Sequence, residues 1–190
     1  MLKSLTKYLE ENPTHRFVLI FLSTYIFLDY FSIFFIGITS PGNYYSSFLD
    51  THLNYVRGLR HFLISSTAHI LQYWGYQVTT TDTMLHAYNV GGFNIVYSCL
   101  GFGLMSFFIA FVIAYPKPLK SKLIFGAFGL FIIQILNIAR LVLITLYWTK
   151  SIFAEKINHH TLFNVLLYII LLSTIVVWIN AKDEQINISK

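Results

Sequence analysis

Apolar residues in this chain come in long uninterrupted blocks, not in the alternating patterns of a soluble domain. Phe17 to Ile36 forms the first block. About 20 residues cross a bilayer, so its length predicts a membrane span. It is too long and too aromatic for a signal-peptide core, and Ile38-Thr39-Ser40-Pro41 is a poor cleavage site. We therefore read it as a retained first helix. Asp29 interrupts it near the far end, within reach of interfacial water. Three further blocks follow, at about Tyr97–Tyr115, Leu123–Trp148 and His160–Ile179, before the polar tail Ala181–Lys190.

The stretch between the first and second blocks has a different pattern. Pro41-Gly42-Asn43 signals a turn. From about Ser46 to Trp74, the apolar residues Leu53, Val56, Leu59, Leu63, Ile70, Leu71 and Trp74 recur at roughly helical spacing. Arg57, Arg60, His61, His69 and Gln72 interrupt them, which predicts an amphipathic interfacial or partly inserted helix in preference to a full crossing. After Gly75, Tyr76–Thr81 and Leu85–Tyr97 are rich in Thr, Val, Ile and Tyr, with Gly91-Gly92 inside the second. They predict short extended segments or a hairpin.

Composition agrees with the blocks. The 190 residues are 56% hydrophobic and 11% charged, with mean hydropathy +0.62, whereas a soluble domain carries about 25% charged residues. The predicted fold is an all-α polytopic membrane protein: about four transmembrane helices, an amphipathic interfacial helix and a short extracytoplasmic β-like hairpin. Residues 1–190 have room for a single integral membrane domain and no separate soluble module.

The charge pattern orients it. The net charge of +5 does not call for nucleic acid, because the basic residues flank hydrophobic segments, where they set orientation and meet anionic membrane lipids. Lys117, Lys120 and Lys122 lie in a short loop without acids, which the positive-inside rule puts in the cytoplasm. With the basic N-terminus also inside, four spans leave both termini cytoplasmic. The ends bearing Cys99 and His160 then face outward, and Arg140 falls in the outer half of its helix.

These three residues are the candidate chemistry. Cys99 is the only cysteine, so no intramolecular disulfide forms and a free thiol remains. At a helix N-terminus, backbone N–H groups and the helix dipole would favour its thiolate. A neighbouring His can take a thiol proton and return it to a leaving amine. Arg140 stays protonated; it can pair with the thiolate, hold a substrate carboxylate or stabilise an oxyanion. Asn137, three residues earlier on the same helical face, can donate a hydrogen bond or orient the His.

Each residue also has a plainer reading. A lone Cys in a membrane helix is usually a packing residue, and an Arg near a helix end often snorkels to headgroups. Gly101 and Gly103 suit close helix packing. Metal chemistry has little support, since only His159 and His160 are adjacent and no HExxH-type spacing occurs.

The ordered set Cys99-Leu100-Gly101, Asn137-Ile138-Ala139-Arg140 and His160 with Phe163 and Asn164 resembles the exosortase/archaeosortase family of membrane transpeptidases. Gly75-Tyr76-Gln77-Val78 and Gly91-Gly92 are similar to the family's lead-in, so the likeness covers roughly residues 60–175. Leu100 stands where the family usually has Ser, and Asn164 where Gly is common. The resemblance implies a bacterial plasma (inner) membrane enzyme with its site on the extracytoplasmic side. It would cleave the C-terminal sorting tail of exported proteins and pass the new carboxyl end to an amine acceptor on a surface polymer or lipid, or to water. The implied roles are Cys99 as nucleophile, His160 (or His159) as general acid/base, and Arg140 as stabiliser of the intermediate, with no cofactor. A non-catalytic membrane scaffold for surface-polymer export and a small transporter are the competing readings.

Overall fold

The computed structural model describes residues 11–40, 44–147 and 159–181; the side chains of residues 159–164 lie outside that description. The described chain is mostly helical. Helix α1 spans Pro13–Thr39, with Pro at its first turn, where a missing N–H costs nothing. Only Phe35 and Thr39 are buried along its 27 residues. Val18, Leu22, Ile26, Phe27, Ile33 and Phe34 stand exposed, a face that water would penalise and lipid would not.

The amphipathic region is two helices: α2, Ser47–His52, and α3, Tyr55–Tyr73. The break comes at Leu53-Asn54, where the Asn54 side chain caps α3 by accepting a hydrogen bond from Arg57 N at 2.8 Å. The same side chain donates to Asp50 at 2.6 Å, which ties the two helices at their corner. The buried stripe of α3 is Val56, Leu63, Ile64, Thr67, Ala68 and Leu71. Leu53 and Trp74, which the spacing assigned to that stripe, are more than half exposed at 58% and 54%.

The extended region forms a three-stranded antiparallel meander of β1 (Val78–Thr80), β2 (Met84–Ala87) and β3 (Gly91–Asn94), where the sequence predicted one hairpin. The second predicted segment breaks because Asn89 takes a left-handed turn conformation, φ 60°. Val78 pairs with Ala87, and Ala87 in turn pairs with Gly91. Leu85 and Ala87 point inward while Met84 and His86 point out. At Gly92 a Cβ would lie 2.5 Å from the Leu85 carbonyl oxygen, so the strands come together only over a glycine.

A 3₁₀ turn, Tyr97–Leu100, then leads into α4, Phe102–Ala114. The predicted second span therefore starts five residues late: Gly101, at φ 79°, separates the turn from the α-helix. Helix α5 runs over Leu119–Tyr147 and α6 over His159–Asn180. Among the described residues, α1 and α5 are long and apolar enough to cross a membrane by themselves; α4 and the Val165–Asn180 part of α6 are shorter apolar helices.

Aromatic rings join the bundle. Phe21 meets Phe107 edge-on at 5.4 Å, Phe17 meets Phe111 at 5.7 Å, and Trp178 stacks on Phe125 at 4.4 Å. The Phe108 ring lies against Gly129 of α5 with no room for a larger residue. This lower core, with Leu104, Ile133, Leu167 and Leu171, is one of two apolar clusters. The other joins Phe35, the α3 stripe, Leu85, Ile95, Leu141 and Val142 around Cys99 and Leu100.

Candidate active site

The second cluster places the candidate residues. The turn bearing Cys99 is held against α5 by two side chains of that helix. Arg140 Nη2 donates to the Cys99 carbonyl oxygen at 3.2 Å, and Asn137 Nδ2 donates to the Leu100 carbonyl oxygen at 3.5 Å. Both are buried, Arg140 at 4% exposure and Asn137 at 1%, and so is Cys99 at 6%. Their helical spacing, 137 and 140, puts both on the face that meets the turn. Tyr97–Leu100 closes with a Cys99 N–H donated to the Val96 carbonyl.

One expectation about Cys99 is corrected. It does not occupy the N-terminus of α4 but sits inside the 3₁₀ turn, before Gly101 and three residues ahead of Phe102. The left-handed Gly101 ends the turn and redirects the chain, so the α4 dipole starts beyond the cysteine. The described contact of Arg140 is also to the backbone of Cys99. Gly101 is needed twice over: its φ is one L side chains avoid, and a Cβ there would lie 2.9 Å from Asn137 Nδ2. It is thus more specific than the helix-packing glycine expected from sequence. At Gly103 a Cβ would lie 3.9 Å from an Asp29 carboxylate oxygen, which places Asp29 against the first turn of α4.

Arg140 is electrostatically unusual. A buried guanidinium costs several kcal/mol unless it is paired, and ionisable groups at membrane depth mark functional sites. No carboxylate among the described residues forms an ion pair with it, and its Nε has no hydrogen-bond partner. The one other buried side-chain polar atom in that state, among the described residues, is Nε of Arg60. Arg60 reaches the same turn from the opposite element: from α3 its guanidinium lies 5.0 Å over the Tyr97 ring. Tyr97 Oη in turn shares a 2.8 Å hydrogen bond with Ser40 Oγ at the end of α1.

The structure thus brings together Cys99, Arg140 and Asn137. His160 and His159 open α6, but their side chains lie outside the described residues. Sequence reasoning missed Gln134, whose amide oxygen accepts from Asn137 at 3.4 Å and whose amide nitrogen reaches Met105 Sδ at 3.0 Å. The signal for it was present: Gln134 lies one helical turn before Asn137 in an otherwise apolar helix. Arg60 and Ser40 carried no such signal, because their partner Tyr97 is remote in sequence. No group of three metal-ligating side chains occurs among the described residues.

A family model described as transmembrane exosortase (Exosortase_EpsH) matches residues 18–179, from the first turns of α1 to the end of α6. No curated protein and no solved structure matches the chain significantly.

Proposed function

Because the chain belongs to the transmembrane exosortase family and is a membrane protein, we propose that Cys99 is its nucleophile, in a cysteine transpeptidase that acts on the C-terminal sorting tail of exported proteins. One observation carries this reading beyond family membership: a buried guanidinium with an unpartnered N–H lies against the turn that presents the cysteine. A packing cysteine needs no such neighbour. An acyl-transfer centre does, because charge develops on the scissile carbonyl oxygen.

In the proposed mechanism, His160 takes the thiol proton and Sγ of Cys99 attacks the scissile carbonyl carbon. The tetrahedral oxyanion draws the guanidinium of Arg140. As the carbon–nitrogen bond breaks, His160 returns the proton to the departing amine, leaving a thioester on Cys99. An amine on a surface polymer or lipid, or a water, then attacks the thioester and frees the thiol. Asn137 and Gly101 hold the turn in place. In this reading the site faces the extracytoplasmic side of the bacterial inner membrane, and His159 is the alternate base.

The decisive experiment is Cys99→Ala in cells that carry a tailed substrate. Processing stops while expression and membrane insertion persist. Normal processing by Cys99→Ala ends the cysteine-enzyme reading.

A further inference from the structure

The opposite end of the bundle has its own basic cleft. The first turns of α1, the last turn of α4 and the start of α5 enclose about 540 Å³. Arg16 and Lys122 stand in its wall, and Phe17, Ile20, Phe111 and Tyr115 supply apolar surface. The aromatic wall is packed together: Phe17 meets Phe111 edge-on at 5.7 Å and Tyr115 at 6.3 Å. Arg16 and Lys122 line the same cleft. No carboxylate is among the described residues that line the cleft.

Two like charges in one cleft with an aromatic wall call for an anion with an apolar tail. Lys122 Nζ uses one of its three donors on the Ile113 carbonyl oxygen, at 2.7 Å, and so is anchored with donors left over. Arg16 is exposed and carries five donors on a planar fork suited to phosphate. Both stand at the end of the apolar helices, the level of lipid headgroups, where each basic residue adds attraction to anionic lipid. Lys117 in the neighbouring loop and Lys120 in the first turn of α5 add further positive charge. Inorganic phosphate would leave the aromatic wall unused, and a neutral lipid would leave the two cations uncompensated.

We propose that this cleft is a binding site for one anionic phospholipid, with its phosphate on Arg16 and Lys122 and an acyl chain along Phe17, Ile20 and Phe111. The site is distant in the fold from the Cys99 turn and does not rest on the transpeptidase reading.

The test is native mass spectrometry of the full chain released from micelles with equal amounts of phosphatidylglycerol and phosphatidylcholine. The wild type retains one phosphatidylglycerol in preference to phosphatidylcholine, each cation accounting for about fivefold. The double variant Arg16→Gln, Lys122→Gln binds the two lipids about equally. Lys120→Gln, outside the cleft, keeps the wild-type preference. A wild type without preference, or a double variant that retains it, overturns the site. If the double variant does not fold, Arg16→Gln decides alone, since its side chain is exposed: an unchanged preference overturns the proposal, and a loss of about fivefold supports it.

Discussion

Arg140 and Cys99, 41 residues apart, meet through a guanidinium-to-carbonyl hydrogen bond of 3.2 Å inside the apolar core. The bond fixes the turn from its backbone, so the guanidinium both positions the cysteine and sets a buried positive charge beside it. Lysine cannot reproduce the fork that makes this possible. In the proposed reaction, Arg140→Lys and Arg140→Gln each lower processing of a tailed substrate about 100-fold or more, the loss typical of an oxyanion donor. Single-turnover cleavage with membrane-inserted variants measures it. Unchanged turnover by Arg140→Gln would remove the arginine from the chemistry.

Gly101→Ala strains the turn twice, by forcing an alanine into φ 79° and by pushing Asn137 Nδ2 from 2.9 Å. The backbone term alone is about 1–2 kcal/mol. Thermal unfolding in detergent reports the loss, and Asn137→Ala in the Gly101→Ala background recovers part of it. If the double variant is no more stable than Gly101→Ala, the contact is not the source.

Arg60, Tyr97 and Ser40 meet at the turn that carries Cys99. Tyr97→Phe keeps the ring under Arg60 and loses the bond to Ser40, at a cost of about 1 kcal/mol. Tyr97→Leu also loses the cation–π contact, with about 0.5–2 kcal/mol more. Equal melting temperatures for the two variants would show that the Arg60 contact contributes nothing.

In the lower core, Gly129→Ala drives a methyl group into the Phe108 ring. Overpacking of this kind costs about 1–3 kcal/mol. Phe108→Leu makes room, so the pair Gly129→Ala, Phe108→Leu melts higher than Gly129→Ala alone. A neutral Gly129→Ala contradicts the packing described.

At the α2–α3 corner, Tyr45 donates to Asp50 at 2.7 Å, and with Asn54 this holds the Asp50 carboxyl below its ordinary pKa. A depressed carboxyl pKa contributes stability above its unfolded value, about 3.9. That contribution is lost as pH falls through the lower folded value. The corner therefore loosens only below about pH 4. A carbon-13 NMR titration of Asp50 gives a midpoint below that of a free aspartate, and Tyr45→Phe raises it. A midpoint indifferent to Tyr45→Phe refutes the assignment.

The helices were legible in sequence because block length alone reveals an apolar helix, and α5 and α6 begin and end within a few residues of the predicted bounds. The Asn137–Arg140 face was legible because i and i+3 share a side of any helix. What escaped was local backbone chemistry. Asn54 splits the amphipathic helix, Asn89 splits the second extended segment, and Gly101 takes Cys99 out of the α-helix. Each depends on one residue adopting a cap or left-handed conformation, which periodicity does not register. The grip of Arg60 on Tyr97 was also hidden, because only the tertiary fold brings α3 to that turn.

Helix α4 has one more physical consequence. Its 13 residues rise only about 20 Å, against roughly 30 Å of hydrocarbon. If α4 crosses the membrane as its sequence block predicts, this shortfall leaves the 3₁₀ turn below the lipid headgroups, and either the bilayer beside α4 thins or α3 and the meander stand in for missing lipid. In the proposed reaction, a peptide bond reaching Cys99 would then leave bulk water and enter a dimple in the membrane. Acyl-chain length in the surrounding lipid thereby becomes a variable that acts on access to the turn.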